Sequence, residues 1–137
     1  MSSRLQAQAV LRAILENPQD VAIFALDRSY RYLAFNENHA RMVEHIWGAD
    51  VLVGDDMLSC IGRADEREQA RRNFDRALAG ECFTSIEERG AERMRGRTYE
   101  NVYSPIRDDE GNVIGLTSHL TDITERRLLE QRVRQSQ

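Results

Sequence analysis

Residues 104–127 read SPIRDDEGNVIGLTSHLTDITERR. In the middle, Asp108-Asp109-Glu110-Gly111-Asn112 is a run of turn formers between two alternating segments, 98–106 and 113–121. The pattern predicts two antiparallel strands joined by a tight turn. Asp122 then offers a carboxylate to the exposed amides of a following helix, and Glu125, three residues on, completes a capping-box-like pair.

Working back from this stretch, residues 82–88 predict a further strand. Before it, DEREQARRNFDRALAG (65–80) predicts a helix, with acidic residues in its first turn, Ala70, Phe74, Ala77 and Leu78 on one face, and Gly80 closing it. Residues 51–62 carry Gly54, Asp55, Asp56 and Gly62 among apolar side chains and predict irregular or single-turn structure. From Asn36, the residues Ala40, Val43, Ile46 and Trp47 share a helical face that Gly48 ends. Residues 21–26 and 30–35 predict a hairpin across Asp27-Arg28-Ser29. At the start, Leu5, Ala9, Val10, Leu11, Ile14 and Leu15 recur at helical spacing until Asn17-Pro18, where proline disfavours helix in the residue before it.

Composition bounds the function. A chain of 137 residues supports one core, and 41% hydrophobic with 31% charged residues is the balance of a folded globular domain. No apolar run reaches the roughly 18 residues of a membrane span, and Gln6, Gln8, Arg12 and Glu16 make the first segment amphipathic rather than a secretory leader. The expectations are a cytoplasmic location and no direct membrane insertion. A net charge of −4 gives no electrostatic reason to expect nucleic acid. Cys60 and Cys82 fit no CxxC spacing and read as small buried hydrophobes. Ser59, Ser104 and Ser118 lack a Gly-x-Ser-x-Gly setting, the pairs Asp55-Asp56 and Asp108-Asp109 fall in turns, and there is no Gly-rich phosphate loop. The chain is expected not to be an enzyme by itself.

The element order, with Pro105-Ile106-Arg107-Asp108, Gly111, Gly115 and Asp122-Ile123-Thr124-Glu125-Arg126-Arg127, resembles the PAS domain family. Asn36, the Trp47-Gly48 helix end and Ala77-Leu78-Ala79-Gly80-Glu81 resemble its helical middle. The resemblance implies an α+β fold: a PAS-like five-stranded antiparallel sheet with helices across one face, plus N-terminal and C-terminal flanking helices. It divides the chain into an amphipathic helix (1–17), a PAS domain (18–124) and the start of a signalling helix (125–137). It also implies a sensory module of a bacterial signalling protein, whose last helix runs on into an output domain in cis such as a histidine kinase or a diguanylate cyclase.

Within that resemblance, each cofactor can be asked for its chemistry. Flavin photochemistry uses a thiol in a Gly-x-Asn-Cys motif, and the matching segment is Gly54-Asp55-Asp56-Met57, whose methionine forms no adduct. Haem needs an axial ligand on the long helix, where 65–80 has no histidine. His39, His45 and His119 are scattered and read as solvated or hydrogen-bonded side chains, so neither haem nor a metal is expected. A small organic ligand stays open. Period-two alternation turns Tyr99, Asn101 and Tyr103 on one strand, and Ile114, Leu116, Ser118 and Leu120 on the next, toward the interior. With Asn36, Trp47 and Phe74 these are the pocket candidates, although a filled core would use the same residues. Arg67 and Arg71 could hold an anionic ligand, or be solvated stems over the apolar edge.

Asp122 and Thr124 are the expected signal-coupling pair between sheet and exit helix. Val10, Leu11, Ile14 and Leu15, with the outward Val102, are expected to form a homodimer face, or else to fold back on the chain's own sheet. A ligand-free dimerisation module is the competing functional reading.

Overall fold

The computed structural model describes residues 3–17, 20–89 and 96–136. In chain order the elements are α1 (Ser3–Glu16), β1 (Val21–Asp27), β2 (Tyr32–Phe35), α2 (Glu37–Trp47), α3 (Met57–Cys60), α4 (Ala64–Leu78), β3 (Phe83–Arg89), β4 (Arg97–Arg107), β5 (Val113–Asp122) and α5 (Thr124–Gln135). The strands form one antiparallel sheet in the order β2-β1-β5-β4-β3. Pro18, the expected stop after the first helix, lies outside the described residues.

Local chemistry accounts for the boundaries. Asn36 caps α2 by accepting from the His39 amide, and Gly48 ends it in the left-handed region at φ 68°. Asp56 caps α3 through the Leu58 amide at 3.0 Å. In the β4–β5 turn one Asp108 carboxylate oxygen accepts from the amides of Glu110 and Asn112, both at 2.9 Å, and Gly111 supplies φ 87°. The β1–β2 turn repeats the device, with Asp27 accepting from the amides of Ser29 and Arg31.

The helices α2, α3 and α4 roof one face of the sheet. Beneath them Phe24, Leu26, Tyr32, Val43, Phe74 and Leu116 make the main buried cluster, with Phe24 and Phe74 edge to face at 5.8 Å. A second, smaller cluster joins Ala22, Tyr99 and Leu120 to Met42 and Ile46 of α2. At the other end of β5, Gly115 crosses so close to β1 that a Cβ there would stand 2.2 Å from the Leu26 carbonyl oxygen. Any side chain at this position must push the two central strands apart.

The structure corrects two expectations. Ile114 is 46% exposed instead of facing inward. The β4–β5 register slips between Ile106 and Arg107, so Arg107 pairs with Val113, and Val113 packs against the core in its place. Nor does α1 fold back on the sheet: it buries no residue, and Val10, Leu11 and Ile14 are all more than half exposed. It touches the domain at its last turn, where Leu15 O accepts from Asn36 Nδ2 and Glu16 accepts from the Glu37 amide.

Candidate functional site

Between α4 and the sheet lies a cavity of 420 Å³ that opens toward β3 and the start of α4. That volume falls in the range of small-molecule pockets, roughly 300–1,000 Å³. Its roof is Met57 and Ile61 from the α3 region with Ala70, Asn73 and Phe74 of α4. Phe24, Asn101 and Tyr103 form the floor, Ser85 and Glu87 of β3 the far wall, and Trp47 closes one end.

The polar part of the floor is a built network. Ser118 Oγ donates to Asn101 Oδ1 at 2.6 Å, and Asn101 Nδ2 donates to the Tyr103 hydroxyl at 2.8 Å, all three residues being buried. A side-chain chain of this kind fixes rotamers, because each member left unpaired inside the protein costs about 1–3 kcal/mol. Trp47 Nε1 is different: it is buried and has no hydrogen-bond partner.

Of the expected pocket residues, Trp47, Phe74, Asn101 and Tyr103 line this cavity. The other six do not, Ile114 being turned outward. Leu116 is sealed in the main core, and Ser118 stands behind Asn101. Tyr99 and Leu120 belong to the second cluster and face a separate 370 Å³ cavity beside Met42, Arg97 and Asp122. Apart from Ile114, alternation finds the inward faces of β4 and β5 correctly, but those faces are longer than the cavity. Asn36 is a structural hub: Oδ1 accepts from the amides of Ile23 and His39, and Nδ2 donates to the carbonyls of Leu15 and Val21.

Sequence reasoning missed Met57, Ile61, Asn73, Ser85 and Glu87. Asn73 had a usable signal, since it lies three residues after Ala70 and so on the same helical face, but an amide does not register in an apolar stripe. Arg67 and Arg71 are occupied elsewhere. Arg67 donates to the carbonyls of Leu58 and Ile61, and Arg71 grips Glu68 through both carboxylate oxygens.

Cys60, the thiol nearest the flavin-type position, is half-buried outside the cavity lining, and burial followed by the nearby Asp55 and Asp56 pushes its pKa up. Among the described residues no group of three or more His, Cys, Asp or Glu side chains could hold a metal ion. None of their helices is long and apolar enough to cross a membrane.

The exit from the sheet is tied by several bonds. Asp122 Oδ1 accepts from the Thr124 amide at 2.9 Å and from its hydroxyl at 2.6 Å, and Thr124 Oγ1 accepts from the Thr98 amide at 2.9 Å. The Ile123 amide donates to Thr98 O, and Arg97 and Arg126 reach Asp122 and Glu100, each at 3.3 Å. The cap position is Ile123, which is buried and offers no side-chain cap. Asp122 therefore acts from one residue earlier than a capping box requires, and the expected pairing with Glu125 does not form.

A five-stranded antiparallel sheet roofed on one face, with a lateral cavity and a helix leaving the central strand, defines an α+β domain. A family model described as PAS fold matches residues 17–128, and the chain belongs to that family. Its structure is similar to the PAS domain of Bordetella pertussis BvgS (TM-score 0.64, 18% identity, 98% of this chain and 99% of that one). It is also similar to a sensory box sensor histidine kinase from Vibrio cholerae (0.58, 14%, 88% and 94%). A third likeness is to a phage VqmA–DPO complex (0.69, 14%, 96% and 60%). At these identities the likeness shows the fold. No match was found among curated protein sequences.

Deep in the roof, His39 Nε2 and the Tyr32 hydroxyl share a 2.6 Å hydrogen bond among Phe24 and Phe35. Burial lowers the His39 pKa to about 4 and raises that of Tyr32. The folded state thus holds a neutral imidazole, while the unfolded chain takes up a proton near its ordinary value of about 6.5. Stability contributed by His39 is full above that value and falls as pH drops from 6.5 toward 4, by up to about 3 kcal/mol. Urea titrations at pH 7.5 and 4.5 should show this loss, and His39→Gln should reduce the difference between the two pH values.

Proposed function

We propose that this chain is a sensory PAS module that holds a small molecule in the α4–β4 cavity and passes the resulting change through β5 to α5. The observation that carries the reading is continuity: the strands that supply Asn101 and Tyr103 to the cavity floor, and Ser118 behind them, meet at the Thr98–Thr124–Asp122 junction that holds the exit helix. The module spans 18–124, with 1–17 and 125–137, which carry most of α1 and α5, as flanking segments. Its effector, a histidine kinase or diguanylate cyclase in cis, would follow α5 in a cytoplasmic signalling protein. No catalytic step is assigned to this chain.

The exposed Val10, Leu11 and Ile14 of α1, joined by Leu15, together with Ile86 and Val102 on the open sheet face, support a homodimer. The same stripe supports a second reading, a ligand-free dimerisation module, in which the cavity would hold only water.

Replacing Asp122 by Ala removes the carboxylate that holds Thr124 and Arg97, and should cost about 1 kcal/mol of stability. Amides of α5 should exchange faster while the core stays protected, and in a protein carrying the output domain the output should stop responding to stimulus. Unchanged regulation contradicts the coupling. Sedimentation of the whole chain should give a dimer, and removal of residues 1–17 a monomer. Monomers in both samples rule the dimer out.

A further inference from the structure

We propose that Asn73 of α4 is the specificity-determining residue of the α4–β4 cavity, donating through Nδ2 to a carbonyl oxygen or heteroaromatic nitrogen on a small uncharged molecule with an apolar body. The proposal rests on the reading of this cavity as the ligand site, and adds the residue and the bond that select the ligand.

Asn73 lies on the face that α4 turns to the cavity, beside the lining residues Ala70 and Phe74. It is only 8% exposed. Oδ1 accepts from Gln69 Nε2 at 3.4 Å, which leaves Nδ2 as the unengaged end of the amide, with no hydrogen-bond partner among the described residues. The fully buried Trp47 indole N–H is also unpaired, but Asn73 Nδ2 differs in keeping accessible surface. For a side chain that is otherwise buried and lines the cavity, that surface belongs to the cavity.

Buried donors are nearly always paired, so a molecule that brings an acceptor to Nδ2 completes a bond for which the donor has already lost most of its water. The neighbouring polar groups of the floor are committed, Asn101 being held between Ser118 Oγ and the Tyr103 hydroxyl. Nor does the lining leave a charge unmet. Arg63 approaches Asp65 at 3.1 Å and Glu66 at 3.8 Å, and Glu87 is engaged as well. Phe24, Met57, Ile61 and Phe74 supply apolar walls. The complementary ligand is therefore neutral and mostly apolar, with one acceptor directed at α4.

Acetophenone and α-methylstyrene test this as a pair, because they share a shape and differ in having a carbonyl oxygen or a methylene at the same place. Each is titrated into the whole chain labelled with nitrogen-15, and followed at the backbone amides of Phe74 and Asn101 and at the side-chain amide of Asn73. The wild-type chain should bind acetophenone about tenfold more tightly, and the Asn73 side-chain protons should move downfield with acetophenone alone. Asn73→Leu, similar in size but without a donor, should erase the preference while still binding α-methylstyrene. The wild-type side-chain signal decides the matter even where the variant does not fold. Equal binding of the two probes, an unmoved Asn73 side chain, or a preference that survives in a folded Asn73→Leu overturns the role of Asn73 and leaves the cavity as the site. Absence of any response to either probe overturns the cavity reading and the role together.

Discussion

Strand β5 is hydrogen-bonded along both edges, to β1 from Val21–Thr121 through Asp27–Gly115 and to β4 from Tyr99–Asp122 through Arg107–Val113. A strand held on both sides cannot slip alone, and its inward side chains inherit fixed positions. Leu116 enters the main core, Ser118 fastens the polar floor of the cavity, and Leu120 joins the second cluster. The same strand delivers Asp122 to the exit helix. The core, the cavity and the exit are therefore three consequences of one paired strand, and the tight crossing at Gly115 anchors its far end.

The interior balances satisfied and unsatisfied polar groups in a way that bears on function. Asn36 makes four hydrogen bonds that tie α1, β1 and α2 together, and Asn101 links Ser118 to Tyr103. These groups define rigid geometry, because breaking one strands its partners away from water. Against that background the Trp47 N–H is buried and has no hydrogen-bond partner among the described residues.

Much of the fold is legible in the sequence because its signals are local. Asn36 and Gly48 bracket α2, Asp108 and Gly111 build the turn, and alternation over Tyr99, Asn101 and Tyr103 identifies the inward side of β4. What escapes is long-range. The bulge that turns Ile114 outward depends on the register with Arg107, the carbonyls that engage Arg67 come from α3 and its C-cap, and Asn36 meets Ile23 and Leu15 only after β1 and α1 arrive. The division of the inward face into two clusters likewise follows from where α2 and α4 land, which periodicity along a strand does not encode. The candidate site is half legible for the same reason: Phe74 and Tyr103 declare themselves as apolar or alternating positions, while Ser85 and Glu87 become lining only once β3 pairs with β4 in this register.

The central claim is that a change in the cavity floor reaches the exit helix through the paired strands. Tyr103→Phe tests it most directly, because it removes the oxygen that Asn101 Nδ2 donates to without touching the junction. Amide chemical shifts in the whole chain should then change at Thr98, Ile123 and Thr124 as well as around Asn101. Shifts confined to the cavity, with those three amides unmoved, would contradict the account.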